Sequence, residues 1–486
     1  MAESSLRNRT VSGVGWSAAD AFLGQGVTFL VGIILARLLS PAEYGLIGIV
    51  TIFTTILTGI VDSGFSNAVI RKEAPSQDDY DTMFITNLVI SIILFVLLYV
   101  SSPLIANFFS RQELVSLTRV TGLILIIQAF SLVQNTILTK NINFKTKTKA
   151  SLISAILSGL IGITMAFTGF RVWALVGQIL SKQLIYSVCL WFFNKWKPTY
   201  RFSLESFRYM WGFGWKLMIS GLLYNIWNQL YQVVVGKFYN ANTLGQYSRA
   251  KDYAQIFSSN FTMIFQRVTF PVLAEIQNEK ERLVAAYRKV IKTSMFVTAI
   301  TMISLGAVAE PLVYCLIGPQ WHQAATFLPY ICISLSLYPL HAINLNMLQV
   351  QGRSDLYLII EIIKKIIAIG PLCLGIFAGI YWMLIGTIFT GFVSFFLNSY
   401  FSGKKLGYTS FMQLRDIVPS YGVAFIVSMS VFFLKYLPIS YWLVLPLQIA
   451  VGAFVFFSIC KLTNMEEYYE VKQIVVSYIE KFRSKR

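Results

Sequence analysis

Charge is what this chain has least of. Asp, Glu, Lys and Arg make up only 13% of its 486 residues, about half the share of an ordinary soluble domain. Histidine is rarer: His322 and His341 have no neighbouring ligand set, which argues against a metal centre. The five cysteines, Cys189, Cys315, Cys332, Cys373 and Cys460, lie scattered in apolar stretches, so no disulfide framework is expected. No GxxxxGK[ST] loop, GxSxG elbow or HExxH helix occurs, which excludes the usual signatures of nucleotide hydrolysis, serine hydrolysis and zinc proteolysis. Long polar insertions are also missing. The longest expected outer connections, residues 102–114 and 238–247, are about a dozen residues each. That weighs against membrane polymerases or ligases working through a large external loop, and no enzymatic activity is expected.

What the chain has instead is apolar length. Hydrophobic residues reach 56%, gathered into stretches of about 20 that recur from end to end. Each is long enough to cross ~30 Å of hydrocarbon, where the backbone must satisfy its own hydrogen bonds and therefore be helical. The reading is an all-α integral membrane protein with about fourteen transmembrane helices, near residues 12–38, 45–70, 81–101, 115–139, 150–168, 172–193, 211–236, 248–274, 290–317, 323–349, 355–378, 381–401, 416–435 and 441–461. The first stretch exceeds a signal-peptide core and lacks a convincing cleavage site.

A formal net charge of +18 raises the question of nucleic acid, but its placement answers it. With the N-terminus in the cytoplasm, about 27 of the 40 lysines and arginines fall on the inner side. Clusters such as Lys140, Lys145, Lys147, Lys149 and Lys280, Arg282, Arg288, Lys289, Lys292 then meet anionic inner-leaflet lipids, and no nucleic-acid partner is expected.

The pattern is duplicated. Gly13-Val14-Gly15-Trp16 opens the first stretch and Gly212-Phe213-Gly214-Trp215 the seventh, an offset of 212 − 13 = 199. RLLSPAEYG from Arg37 and KFYNANTLG from Lys237 follow at an offset of 200. Six spans per half is even, so the repeat is parallel: two pseudo-symmetric six-helix bundles around a central cavity, plus two extra C-terminal helices. The expected lobes are residues 1–193 and 211–401, joined by a cytoplasmic linker at 194–210. Residues 402–461 hold the last two spans and 462–486 an amphipathic cytoplasmic tail, with Val471, Ile474, Val475, Tyr478 and Phe482 near one face. Phe202, Leu204, Phe207 and Met210 among arginines predict an interfacial helix in the linker.

Polar side chains inside spans are costly in hydrocarbon and face a bundle interior or a wet cavity. They recur at helical spacing on spans one, two and four, and again on seven, eight and ten. The candidate substrate-binding residues are Gln128 and Asn135; Asn225, Asn228, Gln229 and Gln232; and Asn260. Three cations join them: Lys182, Arg267 and Lys364. Lys182 lies about ten residues from each end of its span, ~15 Å deep, on a face shared with Gln178 and Tyr186. Glu361 and Lys365, four apart beside Lys364, are expected to pair. Asp20 and Asp62 are the candidates for binding a coupling proton or Na⁺. For any single Ser or Thr, helix-to-helix bonding is the plainer reading; the set of seams favours an aqueous cleft.

At this point the residues resemble a known family. The stretch Ser12-Gly13-Val14-Gly15-Trp16-Ser17-Ala18 is similar to the start of lipid-linked oligosaccharide flippases of the Wzx type. Similar family signatures are Ala36-Arg37-Leu38-Leu39-Ser40-Pro41-Ala42-Glu43-Tyr44-Gly45, Asp62-Ser63-Gly64-Phe65-Ser66-Asn67-Ala68, Phe270-Pro271-Val272-Leu273-Ala274-Glu275-Ile276-Gln277 and Ile317-Gly318-Pro319-Gln320-Trp321. The likeness runs over nearly the whole chain and leans toward the colanic-acid and teichuronic-acid exporters of the multidrug/oligosaccharidyl-lipid/polysaccharide superfamily. It implies a multi-pass protein of the bacterial inner membrane with both termini cytoplasmic, a MATE-like fold and a cationic cavity. It also implies a cargo of undecaprenyl-pyrophosphate-linked oligosaccharide, and polysaccharide polymerase or assembly proteins as partners. No cofactor is implied beyond possible H⁺ or Na⁺ coupling. An ion-coupled multidrug antiporter on the same architecture is the alternative; an acidic cavity would favour it, and the intramembrane balance here leans basic.

Overall fold

The computed structural model describes Trp16, residues 23–62 and residues 64–483, without the side chains at 264, 267, 268, 474, 475, 478, 479 and 481–483. Among the described residues every regular element is a helix. The chain divides into two compact units, residues 1–245 and 246–486.

The first unit contains α1 (Gln25–Leu38), α2 (Pro41–Val61), α3 (Phe65–Arg71), α4 (Gln77–Phe109), α5 (Glu113–Thr121), α6 (Ile124–Lys140), α7 (Phe144–Phe167), α8 (Val172–Phe193), α9 (Leu204–Phe238) and the first turn of α10 (Ala241–Glu275). Local chemistry sets the starts. Ser40 and Glu43 form a reciprocal capping box at α2, with Glu43 Oε2 accepting from the Ser40 N–H at 2.7 Å and Pro41 at the first helical turn. Ser76 and Asp79 do the same at α4, where Lys72 Nζ also reaches Asp79 at 2.8 Å. The unit's division falls after Gly245 because α9 packs against α2, α3 and α4.

The segment before α9 is docked rather than loose. The Asp81 carboxylate accepts from the Thr199 N–H at 3.1 Å and from its hydroxyl, and the Ser203 N–H donates to Thr82 Oγ1 at 2.9 Å. Trp196 sits edge-on to Phe84 and Tyr80. The expected separate interfacial helix does not form. Ser203 caps α9 by accepting from the Ser206 N–H, and residues 204–210 are simply its first two turns. Phe207 and Trp211 pack edge-on against the buried Phe65 and Met210 is fully enclosed, while Phe202 and Leu204 remain exposed.

The duplicated turn has a structural counterpart. Ser40 caps α2, and Asn240, 200 residues on, caps α10 by accepting from the Thr243 N–H at 2.8 Å. The two starts cross with reciprocal contacts. A Cβ on Gly45 would lie 1.7 Å from the Ala241 carbonyl oxygen, and one on Gly245 would lie 1.9 Å from that of Pro41. Only glycine permits backbones this close.

The second unit continues α10 and adds α11 (Lys280–Ala307), α12 (Ala309–Ile317), α13 (His322–Ser336), α14 (Tyr338–Val350), α15 (Ser354–Ile367), α16 (Ile369–Phe377), α17 (Ile380–Lys404), α18 (Ser410–Phe432), α19 (Tyr441–Leu462) and α20 (Glu466–Arg483). Three expected spans are each split into two helices: α11/α12, α13/α14 and α15/α16. Pro311, Pro339 and Pro371 fall in the first turn of the second piece each time, where a missing N–H costs nothing. A core of Tyr287, Ile291, Leu340, Met347, Phe395 and Tyr408 holds α11, α14 and α17 together. The tail helix α20 is clamped to α11 by Lys289–Glu470 at 2.8 Å and Lys292–Glu467 at 2.9 Å. Val471 packs onto this unit's core, while the side chains of Ile474, Val475, Tyr478 and Phe482 lie outside the described residues.

Among the described residues ten helical segments are long and apolar enough to cross a membrane, and α1 is a shorter apolar helix. The polar α9 and α10 and the broken α15/α16 fall below that measure, although each coincides with an expected span. The protein is a multi-pass, all-helical membrane protein.

One ion pair differs from expectation. Glu361 bonds to Lys364, three residues on, not to Lys365. Both spacings put partners on one helix face, so sequence alone leaves either lysine open as the partner. The pair is mostly enclosed, with side chains 16% and 30% exposed.

Two consequences are measurable by thermal or denaturant unfolding in detergent. Gly45→Ala is expected to cost roughly 3 kcal/mol or to prevent folded expression, whereas Gly212→Ala, with open space around it, is expected to be neutral. Removing Glu361 alone is expected to cost roughly 2 kcal/mol and the double removal with Lys364 to cost less, with Lys365→Ala near neutral.

Candidate functional site

In the first unit the polar residues converge on α8. Lys182 stands ten residues after Val172 and eleven before Phe193, so it sits mid-membrane. It is half-buried, and its Nζ donates to Thr28 Oγ1 of α1 at 3.3 Å. One residue on, Gln183 Nε2 donates to Ser131 Oγ of α6 at 3.1 Å. One turn on, Tyr186 donates to Asn135 Oδ1 of α6 at 3.4 Å. Thus α8 is tied to α1 on one flank and to α6 on the other by hydroxyls, amides and a cation. Gln128 lies half-buried on α6, its carbonyl accepting from Ser131 at 2.8 Å.

Asp62 ends α2, where Ser66 Oγ donates to it at 2.5 Å and Thr136 of α6 donates to Ser66 at 3.0 Å. The carboxylate is half-buried and fed by a chain of hydroxyls. On α9, Asn225 presses against α2: a Cβ on Gly59 would lie 2.6 Å from Asn225 Nδ2. Gln229 Oε1 is buried with no hydrogen-bond partner among the described residues, Gln232 is half-buried and Asn228 is exposed. A buried amide oxygen without a partner marks a place where water or a ligand group belongs.

In the second unit Asn260 is half-buried and turns its amide back to the Ile256 carbonyl at 2.6 Å. Lys364 is engaged by Glu361, and His341 Nδ1 lies 3.3 Å from Asn398 Nδ2. The side chain of Arg267 and all of Asp20 lie outside the described residues.

Sequence reading passed over three charges on α10, Arg249, Lys251 and Asp252. Arg249 Nη1 lies 3.7 Å from Asp252, whose side chain is 57% exposed, and Lys251 is half-buried. Their signal is three charges within four residues at the start of an expected span. A wide groove of about 800 Å³ between α11 and α20 also carries basic residues, Lys280, Arg288, Lys289 and Lys292. It is charge-balanced: Arg288 is held bidentate by Asp416 at 2.6 Å, and Lys289 and Lys292 by the tail glutamates. Lys182, by contrast, bonds to the neutral hydroxyl of Thr28.

Comparison with known proteins agrees with this architecture. The polysaccharide biosynthesis protein family matches residues 34–326, that is 326 − 34 + 1 = 293 of 486 positions. The chain is 26% identical over 358 residues to the teichuronic acid biosynthesis protein TuaB of Bacillus subtilis (strain 168), covering 72% of this chain and 73% of that one. It is 26% identical over 321 residues to the succinoglycan biosynthesis transport protein ExoT of Rhizobium meliloti (strain 1021), covering 66% of this chain and 65%, just under two thirds, of that one. Among solved structures it resembles the lipid II flippase MurJ, with a TM-score of 0.70 over 93% of this chain and 98% of that one; at 15% identity the likeness speaks for fold. The chain is a member of the polysaccharide biosynthesis protein family, built on the helical membrane fold it shares with that flippase.

Proposed function

We propose that the protein moves a polyprenyl-diphosphate-linked sugar unit from the inner to the outer leaflet of a bacterial cytoplasmic membrane by alternating access. The observation that carries this reading is Lys182, a cation midway along α8 that donates to Thr28 of α1, while its neighbours Gln183 and Tyr186 bond to Ser131 and Asn135 of α6. A diphosphate-sugar head does not enter hydrocarbon unaided, since an isolated ionised group costs tens of kcal/mol to bury. Its isoprenoid tail prefers the lipid. A membrane path for such a head needs cations for the diphosphate and adaptable donors and acceptors for sugar hydroxyls. Lys182 and Arg267 are assigned the first role, with Lys364 and Lys251 as further cations; Gln128, Asn135, Asn225, Asn228, Gln229, Gln232 and Asn260 take the second. Family membership and relatives named for teichuronic acid and succinoglycan biosynthesis support the sugar class.

Direction and drive belong to the same proposal. The basic loops support a cytoplasmic side for both termini. Asp62, with Ser66 and Thr136 behind it, and Asp20 are the candidate sites for a coupling H⁺ or Na⁺. Polymerase and assembly proteins would receive the exported unit.

Deleting the protein is expected to trap polyprenyl-linked repeat units on the inner leaflet, seen by lipid extraction and mass spectrometry. In complementation, Lys182→Gln is expected to insert normally yet lower export about tenfold or more, the loss of one charge-assisted contact to the head group. Unchanged export by the Lys182→Gln, Arg267→Gln double variant would overturn the assignment, and normal export across all imposed gradients by Asp62→Asn with Asp20→Asn would overturn the coupling role.

A further inference from the structure

A second polar site lies away from that seam, at the other face of the first unit. A groove of about 540 Å³ runs between α4 and α5, lined by Phe95, Tyr99, Gln112, Ser116, Arg119 and Leu123 among others. Arg119 is half-buried at its centre. Its Nε–H donates to Ser102 Oγ at 2.9 Å, and its guanidinium lies 4.3 Å from the centroid of the Tyr99 ring. Those contacts engage the Nε–H and one face of the guanidinium, and no hydrogen bond engages the two terminal amino groups among the described residues. No carboxylate among the described residues pairs with Arg119, and Glu113, the nearest acid in sequence, is exposed and not part of the lining.

The position of the groove indicates its occupant. The start of α4 sits beside the docked segment carrying Lys195, Lys197 and Arg201. At 1.5 Å per residue, Tyr99 lies about 30 Å further along the helix, at the opposite membrane face. The same helix exposes Ile92, Val96, Val100 and Leu104, and Leu123 is exposed at the groove, so its open side is apolar and lipid-facing. A pre-oriented guanidinium without an acid, at headgroup depth, beside an apolar helix face, matches a phosphate carried on acyl chains.

We propose that this groove binds the phosphate of an outer-leaflet phospholipid, with Arg119 as the anchor, Tyr99 as its platform, and Gln112 and Ser116 contacting the rest of the headgroup. The bound lipid would act as a fixed wedge between α4 and α5. The site is independent of the transport reading above.

The test is native mass spectrometry of the full-length protein in detergent, titrated with phosphatidylglycerol or with diacylglycerol. The wild type is expected to retain one phosphatidylglycerol that Arg119→Gln binds about tenfold more weakly, while Arg171→Gln, an exposed arginine in the α7–α8 turn, behaves as wild type. Diacylglycerol is expected not to compete. Equal retention by Arg119→Gln, or equal retention of diacylglycerol, would overturn the proposal. Displacement of the lipid by millimolar inorganic phosphate would show a free-phosphate site and overturn the lipid assignment. If Arg119→Gln does not fold, Tyr99→Leu, which removes the platform and keeps the charge, carries the same comparison.

Discussion

Hydrocarbon as solvent governs this molecule. A backbone that meets no water must close its own hydrogen bonds, which is why every regular element among the described residues is a helix. The same constraint makes each intramembrane polar side chain seek a partner. Threonines and serines turn back to carbonyls one turn earlier, as Thr54, Ser91 and Thr298 do, and so disappear as binding groups. Residues too long or too charged to do this must reach another helix. Lys182 does so toward α1, and Gln183 and Tyr186 toward α6, so the polar contacts between these helices gather on α8.

Glycine sets how closely the helices approach. At Gly45 and Gly245 the starts of α2 and α10 cross with backbone oxygens where side chains would otherwise stand. At Gly64, where φ is +69°, the chain passes from α2 to α3 with Gly214 of α9 pressed against it. At Gly59 the missing side chain admits Asn225. The repeated turn at Gly45 and Gly245 is thus a contact surface, its small residues allowing close packing in lipid, where association relies on van der Waals fit.

Much of the fold was legible. Apolar length located the spans, and the repeated turn after Arg37 and Lys237 is carried by the structure as a capped helix start at Ser40 and at Asn240. Several features were not legible. The helix breaks at Val308, Leu337 and Ala368 sit inside continuous apolar runs, and a proline there reads equally as a kink or a first turn. Residues 204–210 have the pattern of an interfacial helix, and only the tertiary structure shows that they continue into α9, with Phe207 and Trp211 set against Phe65. For the site, helical spacing put Lys182 and Tyr186 on one face, but it does not say which neighbour they meet. Arg119 passed without notice, because one arginine near a helix end looks like an ordinary anchor until Tyr99 and Ser102 are seen to orient it.

Sequence alone determined the solvent and the helical class. Each follows from composition summed along the chain, and solvation free energy is close to additive in that sum. Tertiary structure decided the partners: Glu361 with Lys364, Lys182 with Thr28, Asn225 against Gly59, Arg119 over Tyr99. Pairing depends on how neighbouring helices are rotated and spaced, and that is settled by packing between segments far apart in the chain.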